Sequence, residues 1–134
     1  MRILLVEDNV EYRELVKRAL LERIPDGVVD EAADADAALS LLKRATPDIV
    51  LTDIGLPGAT NGLALIARIR RKGPQPPIVI ITNHNLPEYR AEAARLGAND
   101  FLTKGSTTAQ DIVSAVNRLT NGHDTSVPAS SRRT

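Results

Sequence analysis

Ile49-Val50-Leu51-Thr52-Asp53-Ile54-Gly55-Leu56-Pro57 carries the clearest sign of how this chain is built. An apolar run rich in β-branched residues ends on a carboxylate just before turn residues, the pattern of a buried strand that delivers Asp53 to the rim of a sheet. Working outward, three other runs end the same way. Ile3-Leu4-Leu5-Val6 meets Glu7-Asp8, Ile78-Val79-Ile80-Ile81 meets Thr82, and Phe101-Leu102-Thr103 meets Lys104. If the runs are parallel strands, one sheet edge gathers three carboxylates, a hydroxyl and an ammonium. Ligands of open α/β sheets bind at that carboxyl edge, near the topological switch point.

Helical periodicity fills the gaps between the runs. Tyr12, Leu15, Val16 and Ala19 recur at i, i+3, i+4 and i+7, and the same spacing returns in Ala35, Ala38, Leu39, Leu42 and in Gly62, Leu65, Ile66, Ile69. Tyr89, Ala93 and Leu96 form a weaker stripe before Gly97, a helix-ending residue, and Ile112, Ala115, Val116 and Leu119 form a strong one. Thr107 with Gln110 is expected to cap the last helix. Val28–Ala32 is more polar, as suits a strand at a sheet edge. Five β-α units imply a doubly wound parallel sheet with helices on both faces, and right-handed crossovers favour the flavodoxin-like order 2-1-3-4-5.

The composition excludes several classes of function. The chain has 134 residues, with 17 Lys plus Arg against 17 Asp plus Glu, so no net field draws it to nucleic acid or an anionic membrane. The absence of cysteine removes disulfides, thiolate catalysis and zinc-thiolate sites. No apolar run has the length of a signal-peptide core or a membrane span, and a cytoplasmic protein is expected. His84 and His123 have no partner ligand at metal-binding spacing and are read as solvent-facing. Residues 1–120 form the expected domain. Residues 121–134 have little apolar content and no period, and are expected to be a disordered tail or linker of a stand-alone protein.

The order 2-1-3-4-5 sets the first and third strands side by side, so Asp8 and Asp53 are expected to face each other across the crevice. Clustered carboxylates either raise one another's pKa or hold a cation, and a hard, oxygen-rich site suits Mg²⁺. Lys104 adds a positive group and Thr82 a hydroxyl. Together they fit phosphoryl transfer, in which positioning and charge neutralisation do most of the catalysis and a carboxylate can be the nucleophile.

These residues, taken in order, resemble the receiver domain of two-component response regulators over roughly residues 2 to 120. The motif consists of the acidic pair Glu7-Asp8, Asp53 with Pro57 four residues on, Thr82 after the fourth strand, and Phe101 with Lys104 at the fifth. The resemblance implies that Asp53 accepts a phosphoryl group from the phosphohistidine of a sensor histidine kinase or phosphotransfer protein. It implies that Asp8, Asp53 and the Gly55 carbonyl ligate Mg²⁺ with Glu7 helping through water, and that Lys104 and Thr82 contact the phosphoryl oxygens. Thr82 and Phe101 are the implied switch residues, Phe101 turning inward as Thr82 moves. The implied output is a downstream protein or a homodimer partner bound through the fourth helix, fifth strand and fifth helix.

The chain departs from the family pattern at three places. Asn83 replaces the usual small residue, Lys104-Gly105 replaces Lys-Pro, and Gly58–Gly62 makes a loop one residue longer. Two other readings use the same residues. A Mg²⁺-dependent aspartyl-phosphate phosphatase also needs a strand-end aspartate, but it wants a second one two residues on, where Gly55 stands. A receiver-like scaffold would bind partners without phosphorylation, which leaves the complete residue set without a purpose.

Overall fold

Sheet and helices alternate as the periodicities require. β1 (Arg2–Val6), β2 (Val28–Ala32), β3 (Ile49–Thr52), β4 (Ile78–Thr82) and β5 (Asp100–Thr103) are separated by α1 (Val10–Arg23), α2 (Ala35–Arg44), α3 (Gly62–Arg70) and α4 (Pro87–Leu96). A single 3-10 turn, Lys104–Ser106, leads from β5 into α5 (Ala109–Asn121). The computed structural model describes residues 1–121; the rest of the expected tail, with His123, lies outside the described residues.

All strand pairs are parallel, in the order β2-β1-β3-β4-β5. The two-residue period of a strand splits the apolar runs between the faces of the sheet. Leu4, Val6, Val50, Ile78 and Ile80 face one core with α2, α3 and α4, whereas Ile3, Leu5, Leu51, Val79 and Ile81 face the other with α1 and α5. A sheet covered on both sides needs continuous apolar strands, and β3 and β4 are buried at every position. β2, at the edge, is only partly covered, with Val28 and Glu31 exposed and Ala32 buried.

Side-chain caps set where the helices begin. The Asn9, Asp34 and Asn61 side chains accept backbone N–H groups of Tyr12, Ala37 and Ala64 at 2.8, 2.8 and 2.9 Å. Gly97 ends α4 in the left-handed region with φ 111°, a conformation that glycine adopts without penalty.

Two local expectations are corrected. Leu15 is 52% exposed, while Leu20 joins Val16 and Ala19 in the core; one residue back from Val16 turns Leu15 roughly 100° off the buried face. The α5 capping box is Thr108 with Asp111, not Thr107 with Gln110. Thr108 Oγ1 accepts the Asp111 N–H at 3.1 Å, Asp111 accepts the Thr108 N–H at 2.9 Å, and Gln110 instead accepts from Arg23.

Candidate functional site

β1 and β3 run side by side, with Val6 opposite Thr52, so the chain leaves both strands at the same edge. Glu7, Asp8 and Asp53 meet there, each offering a carboxylate oxygen within 4.8 Å of the others. β4 and β5, paired at Thr82 and Thr103, bring the hydroxyl and the ammonium to the same rim. Every residue expected at the centre of the site is therefore brought together.

Asp53 is only 7% exposed and both of its carboxylate oxygens accept hydrogen bonds. Thr82 Oγ1 donates to Oδ1 at 2.5 Å and the Gly55 N–H donates to the same atom at 3.2 Å. Lys104 Nζ donates to Oδ2 at 3.0 Å and lies 2.9 Å from Glu7 Oε1, bridging two buried carboxylates. Glu7 Oε2 accepts the Asn9 N–H at 3.0 Å. Lys104 is thus the local counter-ion, and its ammonium also stands 4.5 Å from the Tyr12 ring centroid.

The electrostatics follow from these contacts. Burial pushes the Asp53 carboxyl up, but the donors Thr82, Lys104 and Gly55 outweigh it and hold the group below its ordinary 3.8. For Glu7, burial wins over Lys104 and Asn9, and the carboxyl sits above its ordinary 4.5. For Lys104, burial pulls the ammonium down, and its bonds to Glu7 and Asp53 more than reverse that. Asp53 is thereby held in its charged form at neutral pH, while Asp8 stands exposed at the rim.

The backbone around Asp53 depends on Gly62. A Cβ at Gly62 would fall 1.9 Å from the Asp53 carbonyl oxygen, because the loop after β3 folds back so that the Gly62 N–H donates to Ile54 O at 2.8 Å. The sequence pattern marked Gly62 only as a buried helix position. Tyr12 and Arg13 were also missed as site residues. Tyr12 lies under Lys104, and Arg13 donates to the Glu7 carbonyl at 2.7 Å. In the sequence they register only as the first turn of α1.

His84 is exposed, as expected, yet its ring also overhangs Gly55. A Cβ on residue 55 would meet His84 Nε2 at 2.8 Å, and the ring packs edge-on to Tyr89 with centroids 5.7 Å apart. Asn83 is exposed and makes no hydrogen bond to the site among the described residues. Phe101 is already buried at 7% exposure beneath the Arg90 guanidinium, which lies 4.5 Å from the ring centroid and donates to Phe101 O at 3.2 Å.

Comparison with known proteins completes the description. The profile of the response regulator receiver domain matches residues 3–117. The chain is 35% identical over 129 residues to the probable transcriptional regulatory protein NarL of Mycobacterium tuberculosis, covering 96% of this chain and 59% of that protein. It is 31% identical over 123 residues to the glycerol metabolism activator of Pseudomonas putida, covering 91% and 55%. The chain thus spans a little over half the length of these curated relatives. Among solved structures, the receiver domain of NtrX from Brucella abortus superposes with a TM-score of 0.79 at 35% identity, covering 87% of this chain and 96% of that one.

Proposed function

We propose that this chain, which belongs to the response regulator receiver domain family, is a phosphorylation-controlled switch that takes a phosphoryl group on Asp53 from a histidine kinase or phosphotransfer protein. The observation that carries the reading is the convergence on one buried carboxylate of a hydroxyl, an ammonium and two further acids. Asp53 attacks the phosphorus of a phosphohistidine, the new O–P bond forms as the P–N bond breaks, and the imidazole departs with the electron pair. Lys104 and Thr82 already bond the oxygens of Asp53, and they are the donors free to turn onto the incoming phosphoryl oxygens.

The donor set fits Mg²⁺: the carboxylates of Asp8 and Asp53, the Gly55 carbonyl, and Glu7 through water, all hard oxygen ligands at one rim. When bound, the ion supplies positive charge against the transferring group. Phosphatase chemistry is disfavoured, since Gly55 stands where that chemistry wants a second aspartate.

A phosphoryl group adds roughly −1.5 to −2 charge and new acceptor oxygens, which draw the Thr82 hydroxyl away from Asp53. The His84 N–H bonds that hydroxyl at 3.2 Å, so the loop from Asn83 to Pro87 follows it. Phe101 and its Arg90 cover repack in turn, altering the face of α4, β5 and α5 where an output protein or a second copy binds. The chain works in the cytoplasm in this reading; among the described residues no helix is long and apolar enough to cross a membrane. Intact mass after incubation with acetyl phosphate and Mg²⁺ tests the proposal. One acid-labile phosphoryl group on the wild type and none on Asp53→Ala supports it, and equal labelling of both overturns it.

A further inference from the structure

Two neighbouring helices end in a concentration of positive charge. Lys43 and Arg44 close α2, while Arg68, Arg71 and Lys72 close α3 and its continuation. Cations favour helix C-termini, which accounts for their place on each helix. It does not account for their lack of partners. Arg2, Arg13, Lys17, Arg23, Arg95, Lys104 and Arg118 all pair with carboxylates. Arg70 and Arg90 are held by backbone carbonyls. Among the described residues, Arg18 is the one other lysine or arginine without such a partner. Among the described residues of a chain of zero formal net charge, five of the six cations without such a partner therefore sit at one place.

That place is a groove. The cleft between α2 and α3 encloses about 590 Å³, with Leu39, Leu42, Ile69 and Pro76 among its lining and Lys43, Arg68 and Lys72 at its basic end. Leu39 and Leu42 are half-buried against the core, and Ile69 is 6% exposed, so the floor is fixed and apolar. Asp36 lines the opposite end and gives the groove a polarity. Its lining runs from Asp36 to Lys43 along α2, so the groove is roughly 12 Å long, a little over two turns of a helix. It opens at the beginnings of β3 and β4, the edge opposite Asp53.

We infer that this groove docks an acidic amphipathic helix of a partner protein. Its apolar residues lie on Leu39, Leu42 and Ile69, and its carboxylates gather at the Lys43–Lys72 end, away from Asp36. Helix-in-groove recognition uses this combination of apolar floor and charged rim. A nucleic acid backbone has no use for the leucine floor, and the neutral chain has no long-range field to attract one. The site stands apart from the phosphorylation reading, because no residue of the Asp53 centre lines it.

The test is an amide-shift titration of the full chain with a synthetic twelve-residue peptide carrying leucine at i, i+3, i+4 and i+7 and glutamate at one end. Saturable shifts confined to residues 36–46 and 68–76 are expected, with binding equal for wild type and Asp53→Ala. Arg68→Glu/Lys72→Glu, both exposed and thus compatible with the fold, is expected to weaken binding by roughly tenfold or more, about 1.4 kcal/mol. Leu42→Ala, checked for an intact spectrum, is expected to weaken it too. Absence of saturable shifts, or shifts elsewhere, overturns the inference. So does an equal-charge oligonucleotide or a phosphatidylglycerol vesicle that binds more tightly than the peptide, or full affinity in the Arg68→Glu/Lys72→Glu variant.

Discussion

Replacing Lys104 by methionine keeps most of the side chain's length and apolar bulk and removes the one cation between Glu7 and Asp53. The ammonium lies 2.9 Å from Glu7 and 3.0 Å from Asp53, with side-chain exposures of 12%, 3% and 9% for the lysine, the glutamate and the aspartate. At an effective dielectric near 20, each contact carries about 5.5 kcal/mol of Coulomb attraction. Most of that is offset by the desolvation of the ammonium, and breaking a fully buried pair costs about 3–5 kcal/mol. This cluster sits at a rim where water can reach Asp8, so we expect a loss of about 2–3 kcal/mol. Urea unfolding at pH 7 without divalent cations should show a midpoint lower by about 1–2 M.

The pH dependence provides a second reading of the same variant. Without Lys104 the two carboxyls have raised folded pKa values, so the gap from wild type should narrow as pH falls through them. Added Mg²⁺ should also recover more stability in the variant than in the wild type. Lys104→Met/Glu7→Gln should be less unstable than the sum of its parts, by about 1 kcal/mol or more. A loss below about 0.5 kcal/mol at pH 7, or a gap that is the same at pH 4 and pH 7, would refute the bridging role.

Other perturbations test neighbouring parts of the account. Gly62→Ala must move the Asp53 backbone and is expected to cost about 1–3 kcal/mol in urea unfolding and to slow labelling by acetyl phosphate; unchanged labelling would contradict the packing argument. Asp8→Ala should lose Mg²⁺-dependent labelling while unfolding at no lower urea concentration than the wild type, because a like charge leaves the cluster; loss of both together would point to a structural role. The Asp53 carboxyl is held below its ordinary 3.8, so its stabilising contribution is present at pH values above that and lost as pH falls through the folded value. Asp53→Asn should therefore flatten the acid limb of a stability–pH curve, and an unaltered limb would count against the depressed carboxyl. Thr82→Ala should still be labelled but should lose the amide-exchange changes at residues 83–87 that a phosphoryl mimic induces; changes confined to residues 35–42 in the wild type would defeat the coupling.

The fold was legible because the inner strands β1, β3 and β4 are buried on both faces and must read as apolar runs. The runs ending at Glu7, Asp53, Thr82 and Lys104 fixed the strand ends, and the parallel topology then forced those residues together. What escaped the sequence depends on a rotation or a reach of one residue. Leu15 satisfies the i, i+3 count yet faces solvent, and the α5 capping box belongs to Thr108 because the helix starts one residue later than Thr107 implies. Gly62 and Tyr12 carry no chemical signal of their own, since a close backbone approach and a ring beneath an ammonium exist only after folding. The α2–α3 groove is equally silent in the sequence. Its cations are separated along the chain by β3 and meet only across two helix ends.

Peptide mapping after borohydride reduction shows whether Asp53 is the nucleophile of a phosphoryl transfer. Reduction converts an aspartyl phosphate to homoserine, marking the modified position irreversibly. With acetyl phosphate and Mg²⁺ the account predicts homoserine at position 53 and nowhere else, and none when the metal is chelated. Homoserine at Asp8 or another carboxylate, or its absence at position 53 in a fully folded protein, would contradict it.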